Sequence, residues 1–284
     1  MLSVRTNVSS LNAQRNLSSN QMQLDQSLNK LSSGYRINRA SDDAAGLGVS
    51  TNMNAQIRSY NQAVRNANDG LSVVQTAESA LNEVANILTR MRELTMQSAS
   101  DGVGATERAY IQEENAQLIA ELDRIDAVAE FNGVSLFGAS AAMQFQVGIR
   151  STANDVISID LTAGIDSASL GTSGGITMAS VDLGSSAGIN ASTAAGYLGA
   201  IDDAIDQISN YRSQLGAVAN RLNSTISFVK EAAEATSAAN SRIRDVDIAE
   251  ETSKLSASQV LMQAGVSMLS QANQAPQVAL KLLG

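Results

Sequence analysis

The chain has 284 residues, a formal net charge of -9 and an aromatic content of 3%, and it contains neither His nor Cys. The absence of these two residue types excludes thiol nucleophiles, imidazole bases and the usual ligands of zinc, haem and iron–sulfur clusters. We therefore expect neither an enzyme nor a bound cofactor. The acidic charge and the lack of a long apolar segment indicate no binding to nucleic acid and no insertion into a membrane.

The first predicted element is an amphipathic helix that ends near Gly34, since glycine is common at helix ends. Its apolar residues recur at helical spacing, with a slip of one residue in the middle of the stripe. Such a helix is marginally stable alone in water, so we expect it to pack against another helix or another copy of the chain. The stripe consists of Val4, Leu11, Leu17, Leu24, Leu28 and Leu31.

A very long second helix and a shorter third helix follow. Asp42 and Asp43 suit the positive end of a helix dipole, which predicts a helix start there rather than a metal site. No Pro interrupts the pattern between Ala44 and about Ser98, and at 1.5 Å per residue this helix would be roughly 80 Å long. The third helix opens near Thr106. The predicted seam between these helices contains Leu81, Leu88, Ile111 and Leu118.

The hydrophobic pattern then changes from helical to strand-like. Apolar residues alternate with polar or small ones from Met143 to Ile149 and from Ile157 to Leu161, which predicts a β-hairpin. Segment 163–190 is dense in Gly, Ser, Thr and Ala and contains few large apolar residues. We therefore predict an exposed loop there.

Two more helices complete the chain. Ile208, Leu215 and Leu222 hold a seven-residue step and extend the bundle seam. These patterns together predict a mainly α fold, an elongated antiparallel helical bundle or coiled coil with paired terminal helices and a small β-hairpin. The last helix carries a second apolar stripe, which consists of Leu255, Met262, Val266, Leu269 and Leu283.

Three regions are predicted from this order of elements. Residues 1–43 and 240–284 form a coiled coil of terminal helices. Residues 44–162 and 191–239 form the long-helix bundle with its hairpin, and residues 163–190 form the exposed Gly/Ser-rich loop. The stripes of the terminal helices must be buried against each other, against sister molecules, or both.

Several separated stretches resemble bacterial flagellin, in a short form that lacks large outer β-domains. The resemblance covers roughly residues 1–162 and 191–284 and leaves out only the Gly/Ser-rich centre. Its motifs are LSSGYRIN at 31–38, SDDAAG at 41–46, RNANDG at 65–70, RMREL at 90–94, FNG at 131–133, QAG at 263–265 and QANQAPQ at 271–277.

The resemblance implies a structural subunit that polymerises with itself into the extracellular filament of the bacterial flagellum. In that family the paired terminal helices form the inner core of the filament, and the long-helix bundle forms the tube around it. The subunit is exported through the flagellar type III channel without a cleaved signal peptide. The implied partners are an export chaperone, the filament cap and the hook–filament junction proteins.

The resemblance also implies a site for an animal receptor. Arg90, Leu94 and Glu114 match the positions through which many flagellins are recognised by the host Toll-like receptor for flagellin. An alternative is that Arg90 and Glu114 make ordinary polar contacts while Leu94 belongs to the bundle seam.

Two other functions remain open at the level of sequence. A hook–filament junction protein of the same superfamily resembles flagellin at both ends but does not form a long filament. A non-flagellar signalling coiled coil, such as a chemoreceptor stalk, is also rich in Ala, Ser and Gln, although it predicts a membrane span and no hairpin.

Overall fold

A computed structural model of the protein describes residues 7–138, 142–161, 164–171, 175–184 and 191–283, without the side chains of 191–192 and 275–283. The predicted mainly α fold is confirmed. The helices are α1 (Val8–Ser33), α2 (Ala44–Ser98), α3 (Ala105–Val128), α4 (Ala191–Arg244) and α5 (Ile248–Leu283); the strands are β1 (Glu130–Phe131), β2 (Val134–Ser135), β3 (Ala142–Gln146) and β4 (Val156–Asp160).

The predicted start and stop signals define the first helices. Gly34 adopts a left-handed conformation with φ of 73°, and its N–H donates a hydrogen bond of 2.9 Å to the carbonyl of Lys30. Asp43 directly precedes α2, and its carboxylate accepts the N–H of Gly46 at 2.9 Å. The predicted helix from Ala44 to Ser98 is confirmed over its whole length.

Two small antiparallel hairpins follow α3. Asn132 and Gly133 both have positive φ, 52° and 77°, as a two-residue hairpin turn requires, and they join β1 to β2. Asn132-Gly133 is a turn signal in the sequence, but strands of two residues leave no readable alternation that would predict this hairpin. The larger hairpin pairs Met143 with Ile159 in β3 and β4, which confirms the predicted hairpin.

The chain folds into two compact units. The terminal unit contains residues 1–57 and 234–284, and the central unit contains residues 58–233. The central unit holds a continuous hydrophobic core to which α2, α3, α4 and the larger hairpin all contribute. Leu118 is half-buried at the edge of this core. The other predicted seam residues are buried within it, namely Leu81, Leu88, Ile111, Ile208, Leu215 and Leu222.

The segment predicted as an exposed loop differs from that expectation. In its described parts, 164–171 and 175–184, which we call the strap, the large apolar side chains are buried rather than exposed, apart from Ile176, which is half-buried against the core. The prediction was wrong for these residues because their few apolar side chains all enter the core of the central unit. The remainder of 163–190 lies outside the described residues. The buried strap residues are Ile165, Leu170, Met178, Val181 and Leu183.

Polar side chains of α3 hold the backbone of the strap. The carboxylate of Asp123 accepts the N–H of Ser167 at 2.8 Å, and the side-chain oxygen of Gln112 accepts the N–H of Leu183 at 2.6 Å. The side-chain amide of Asn115, which is fully buried, donates to the carbonyl of Val181 at 3.1 Å. These bonds satisfy strap backbone groups that would otherwise be costly to bury.

None of the helices, as far as the structure describes them, combines the length and the apolar character needed to cross a lipid bilayer.

Candidate self-assembly surface

The terminal helices α1 and α5 pack along each other in the terminal unit. Small side chains allow a close approach: a Cβ placed on Gly265 would lie 3.2 Å from Cδ1 of Leu17. The seam also buries the hydroxyl residues Ser27 and Ser258. Small and polar side chains occupy little volume, so this pairing leaves larger apolar groups of both helices outside it.

Hydrogen bonds join the start of α1 to the C-terminal half of α5. The side-chain amide of Asn7 donates to the carbonyl of Ala272 at 2.7 Å, while its oxygen accepts the N–H of Ser10 as the N-cap of α1. The hydroxyl of Ser10 donates to the side-chain oxygen of Asn273 at 2.8 Å. The first turn of α1 is therefore attached directly to α5.

The residues predicted for self-assembly are either exposed or half-buried where the structure describes their side chains. Leu11, Leu28 and Val266 are exposed. Val4 lies outside the described residues, and Leu283 lies in α5 but its side chain is outside the described set. The remaining members of the two stripes are half-buried, namely Leu17, Leu24, Leu31, Leu255, Met262 and Leu269.

The terminal unit exposes an unusual share of its large apolar side chains. Among the described residues, sixteen large hydrophobic side chains are exposed, and eleven of them belong to this smaller unit. Its only fully buried hydrophobic residue in the same set is Ile37. A concentration of exposed apolar surface indicates a binding surface. These eleven residues, called the apolar face below, are Val8, Leu11, Met22, Leu28, Tyr35, Val49, Ile248, Val260, Leu261, Val266 and Met268.

Most of the apolar face was missed by reasoning from heptad spacing. Val260 and Leu261 directly precede the stripe residue Met262, so three consecutive apolar residues extend around α5. A helix with apolar residues on several sides is normally buried on several sides. That contiguous run was the available signal, and it indicates that α5 needs partners in addition to α1.

The two acids at the start of α2 serve the backbone. Asp42 accepts the N–H groups of Asn38 at 3.1 Å and Arg39 at 2.9 Å. The bond from Arg39, then that from Asn38, lowers the pKa of the Asp42 carboxyl below its usual value. Asp43 caps the helix, as described above. No cluster of three or more acidic side chains in the described residues is arranged to hold a metal ion.

Comparison with known proteins identifies the family to which this surface belongs. The model of the bacterial flagellin N-terminal helical region matches residues 4–142, and that of the C-terminal helical region matches residues 198–283. Flagellin FlaB2 of Treponema pallidum is 41% identical over 99% of both chains. The chain belongs to the bacterial flagellin family.

A second curated relative agrees with this assignment. Flagellin of Halalkalibacterium halodurans is 43% identical to this flagellin over 99% of both chains. The crystal structure of Bacillus cereus flagellin is similar with 28% identity and a TM-score of 0.47, over 58% of this chain and 88% of that one. This flagellin is a structural subunit of the flagellar filament, and the junction-protein and signalling-protein alternatives are not favoured. The family is one of structural proteins.

The three residues of the predicted receptor site lie close together in this flagellin but differ in exposure. The guanidinium of Arg90 contacts the carboxylate of Glu114 at 2.8 Å and that of Glu93 at 2.9 Å. These bonds, with Glu114 the larger contributor, raise the pKa of Arg90 above its usual value. Leu94 is only 1% exposed. Arg90 and Glu114 are thus accessible, whereas Leu94 is buried in the core of the central unit.

Proposed function

We propose that polymerisation of this flagellin is driven by burial of the apolar face of the terminal unit against sister subunits. In this proposal, the terminal helices form the inner core of the filament and the long-helix bundle of the central unit forms the tube around it. The observation that carries the proposal is the contrast, within the described part of the terminal unit, between eleven exposed large apolar side chains and one buried hydrophobic residue.

The energetics favour coupling of assembly to ordering of the terminal helices. Burial of one Leu or Met side chain contributes about 1.5–3 kcal/mol, and ordering a residue costs about 1–2 kcal/mol of backbone entropy. Since the α1–α5 pairing leaves most large apolar groups exposed, sister subunits supply the missing burial. Subunits that present one surface to a different surface of the next copy form an open helix rather than a closed ring.

The same apolar face explains why the subunit needs partners before it is assembled. Exposed apolar helices are prone to premature association, so an export chaperone that covers α5 would keep the subunit soluble before type III export. The filament cap and the hook–filament junction proteins would then meet the terminal helices at the two ends of the polymer.

A deletion and a pair of substitutions test the proposal. Removal of residues 248–284 should leave a soluble monomer that neither extends filament fragments nor binds the chaperone. The variant Leu261→Ser/Met268→Ser should fold but elongate much more slowly, because two exposed apolar contacts are lost. Elongation is measured by sedimentation and electron microscopy.

The matched control replaces exposed apolar residues of the central unit. Val128 and Val134 are similarly exposed, and the variant Val128→Ser/Val134→Ser should extend filament fragments at the rate of the unaltered protein. Filaments formed by the truncated chain, or equal rates for the two double variants, would refute the role of the apolar face.

A further inference from the structure

The central unit contains an open groove that none of the functions above uses. The groove has a volume of about 850 Å³ and lies between α2, α4 and the loop that joins β3 to β4. Tyr60, Arg150, Arg221 and Phe228 line it. Phe228 is 68% exposed, which is a large exposure for an aromatic residue.

The wall formed by the hairpin is held in a fixed position. The side-chain amide of Asn66 on α2 donates to the carbonyl of Gln146 at 2.9 Å. The side-chain amide of Gln146 in turn donates to the carbonyls of Gly148 and Arg150, at 2.9 and 2.7 Å. Thr152 donates its hydroxyl to the carboxylate of Asp155 within the same loop. A wall braced in this way is preorganised for binding.

The groove is basic although the protein as a whole is acidic. Neither Arg150 nor Arg221 forms an ion pair within the described part of the chain, and the neighbouring acid Asp155 already accepts a hydrogen bond. The chain around the groove, residues 58–69, 146–155 and 220–231, contains five basic and three acidic residues. Two guanidinium groups are thus available to bind carboxylates.

The opposite end of the central unit has the complementary charge. Residues 90–126, 164–184 and 193–206 contain thirteen acidic and four basic residues. An ion pair at 2.7 Å between Arg92 and Asp202 joins two of these segments. Asp203 and Asp206 lie about one turn apart at exposed positions of α4, and neither has a polar side-chain partner among the described residues. Their mutual repulsion would be relieved by external cations.

The two charged regions are too far apart to meet within one molecule. Arg221 at the groove and Asp206 at the acidic end belong to the same continuous helix, α4. Fifteen residues of α-helix span about 22 Å, well beyond the reach of an ion pair. Charge complementarity between the two ends can therefore be satisfied only between different molecules.

We propose that the groove receives the acidic end of a second copy of this chain, so that Arg150 and Arg221 face Asp203 and Asp206 of the next subunit. The inference rests on the proposed polymerisation and adds the charged groups of one contact, in which the basic groove of one subunit meets the acidic end of the next. This contact is heterologous and propagates in one direction. Complementary charges of this kind chiefly set the association rate and the register of the contact.

Charge reversal tests the contact. The groove variant Arg150→Glu/Arg221→Glu and the acidic-end variant Asp203→Arg/Asp206→Arg should each elongate their own filament fragments about tenfold more slowly at low salt. The combined variant with all four substitutions restores opposite charges and should recover most of the rate. Higher salt should reduce the differences, since these groups are exposed. Elongation is followed by light scattering.

Control variants distinguish loss of this contact from a failure to fold and from a general effect of charge on polymerisation. Arg212→Glu makes the same charge change as Arg221→Glu on the exposed surface of α4 but lies outside the groove. It should elongate normally, whereas Arg221→Glu should not. Circular dichroism establishes folding, and Arg150→Gln/Arg221→Gln replaces the reversed pair if that pair does not fold.

Each outcome has one meaning. No recovery in the combined variant, or equal rates for Arg212→Glu and Arg221→Glu, would overturn the head-to-tail contact while unaltered protein still polymerises. Failure of the unaltered protein to extend its own filament fragments would instead refute the proposed function.

Discussion

The guanidinium of Arg244 lies 4.2 Å from the centroid of the Tyr35 ring, in a cation–π contact between the last residue of α4 and the segment that follows α1. Backbone hydrogen bonds surround the contact: Arg36 donates to the carbonyl of Arg244 at 2.6 Å, and Val246 donates to that of Gly34 at 3.0 Å. We call this group of contacts the clamp. It sets where α1 ends relative to the start of α5, and hence how the two helices pair.

Loss of the Tyr35 ring should loosen the clamp. A cation–π contact of an exposed pair contributes about 0.5–1 kcal/mol, so Tyr35→Ala should lower hydrogen-exchange protection of the Arg36 and Val246 amides about two- to fivefold. Tyr35→Phe keeps the ring and serves as the control. Equal protection in all three proteins would show that the ring makes no contribution.

Two glycines of the strap region should differ in their tolerance of alanine. Both have positive φ, 69° at Gly171 and 79° at Gly175, where alanine costs about 1–2 kcal/mol. A Cβ on Gly171 would lie 2.4 Å from the carbonyl oxygen of Ala200, whereas one on Gly175 would meet no atom within 4 Å. The free energy of unfolding of Gly171→Ala should therefore be lower than that of Gly175→Ala by about 1–3 kcal/mol.

Denaturant unfolding of both glycine variants provides the comparison. A Gly175→Ala variant as unstable as Gly171→Ala would contradict the close approach of the strap to α4.

Asp126 should make the stability of the strap depend on pH. Its carboxylate accepts the N–H of Ile165 at 3.1 Å, but burial, with smaller contributions from Asp166 and Asp123, raises its pKa. The folded protein then binds more protons than the unfolded chain between the unfolded pKa, about 3.9, and the raised folded value. The contribution of this carboxyl to stability is therefore full below that window and is lost as pH rises through it.

Asp126→Asn retains the acceptor oxygen and removes the titration. We expect it to unfold at higher denaturant concentration than the unaltered protein at pH 7, with a smaller difference at pH 4. Glu113→Gln, an exposed amide substitution on the same helix, controls for general loss of charge. A variant less stable at pH 7 than the unaltered protein would mean that the charged form of Asp126 is favoured after all.

We expect the Toll-like receptor for flagellin to contact the exposed side chain of Arg90. Arg90→Ala should reduce the response of a reporter cell that carries the Toll-like receptor for flagellin. Arg124→Ala is a matched control, since Arg124 forms a similar exposed ion pair with Glu121 at 2.6 Å. An unchanged response to Arg90→Ala would remove this receptor from the partners of the protein.

Local signals in the sequence were sufficient for the boundaries of the elements. Gly34 and Asp43 act through their own backbone or side chain within four residues, so their effect is readable without knowledge of the fold. The strap was misjudged because its apolar residues are too sparse for a periodic pattern. Their burial depends on α3 side chains such as Asn115 that lie far away in the sequence.

By itself, the sequence determined the family, the order of helices and the larger hairpin, because helix and strand periodicity, caps and turns are properties of neighbouring residues. The tertiary structure alone decided which apolar residues remain exposed after α1 pairs with α5, and that the strap is buried. It also brought Arg150 and Arg221 into one groove, with Arg221 about 22 Å along α4 from Asp206 of the acidic end. Those relationships join residues distant in sequence, and only packing in three dimensions brings them together or keeps them apart.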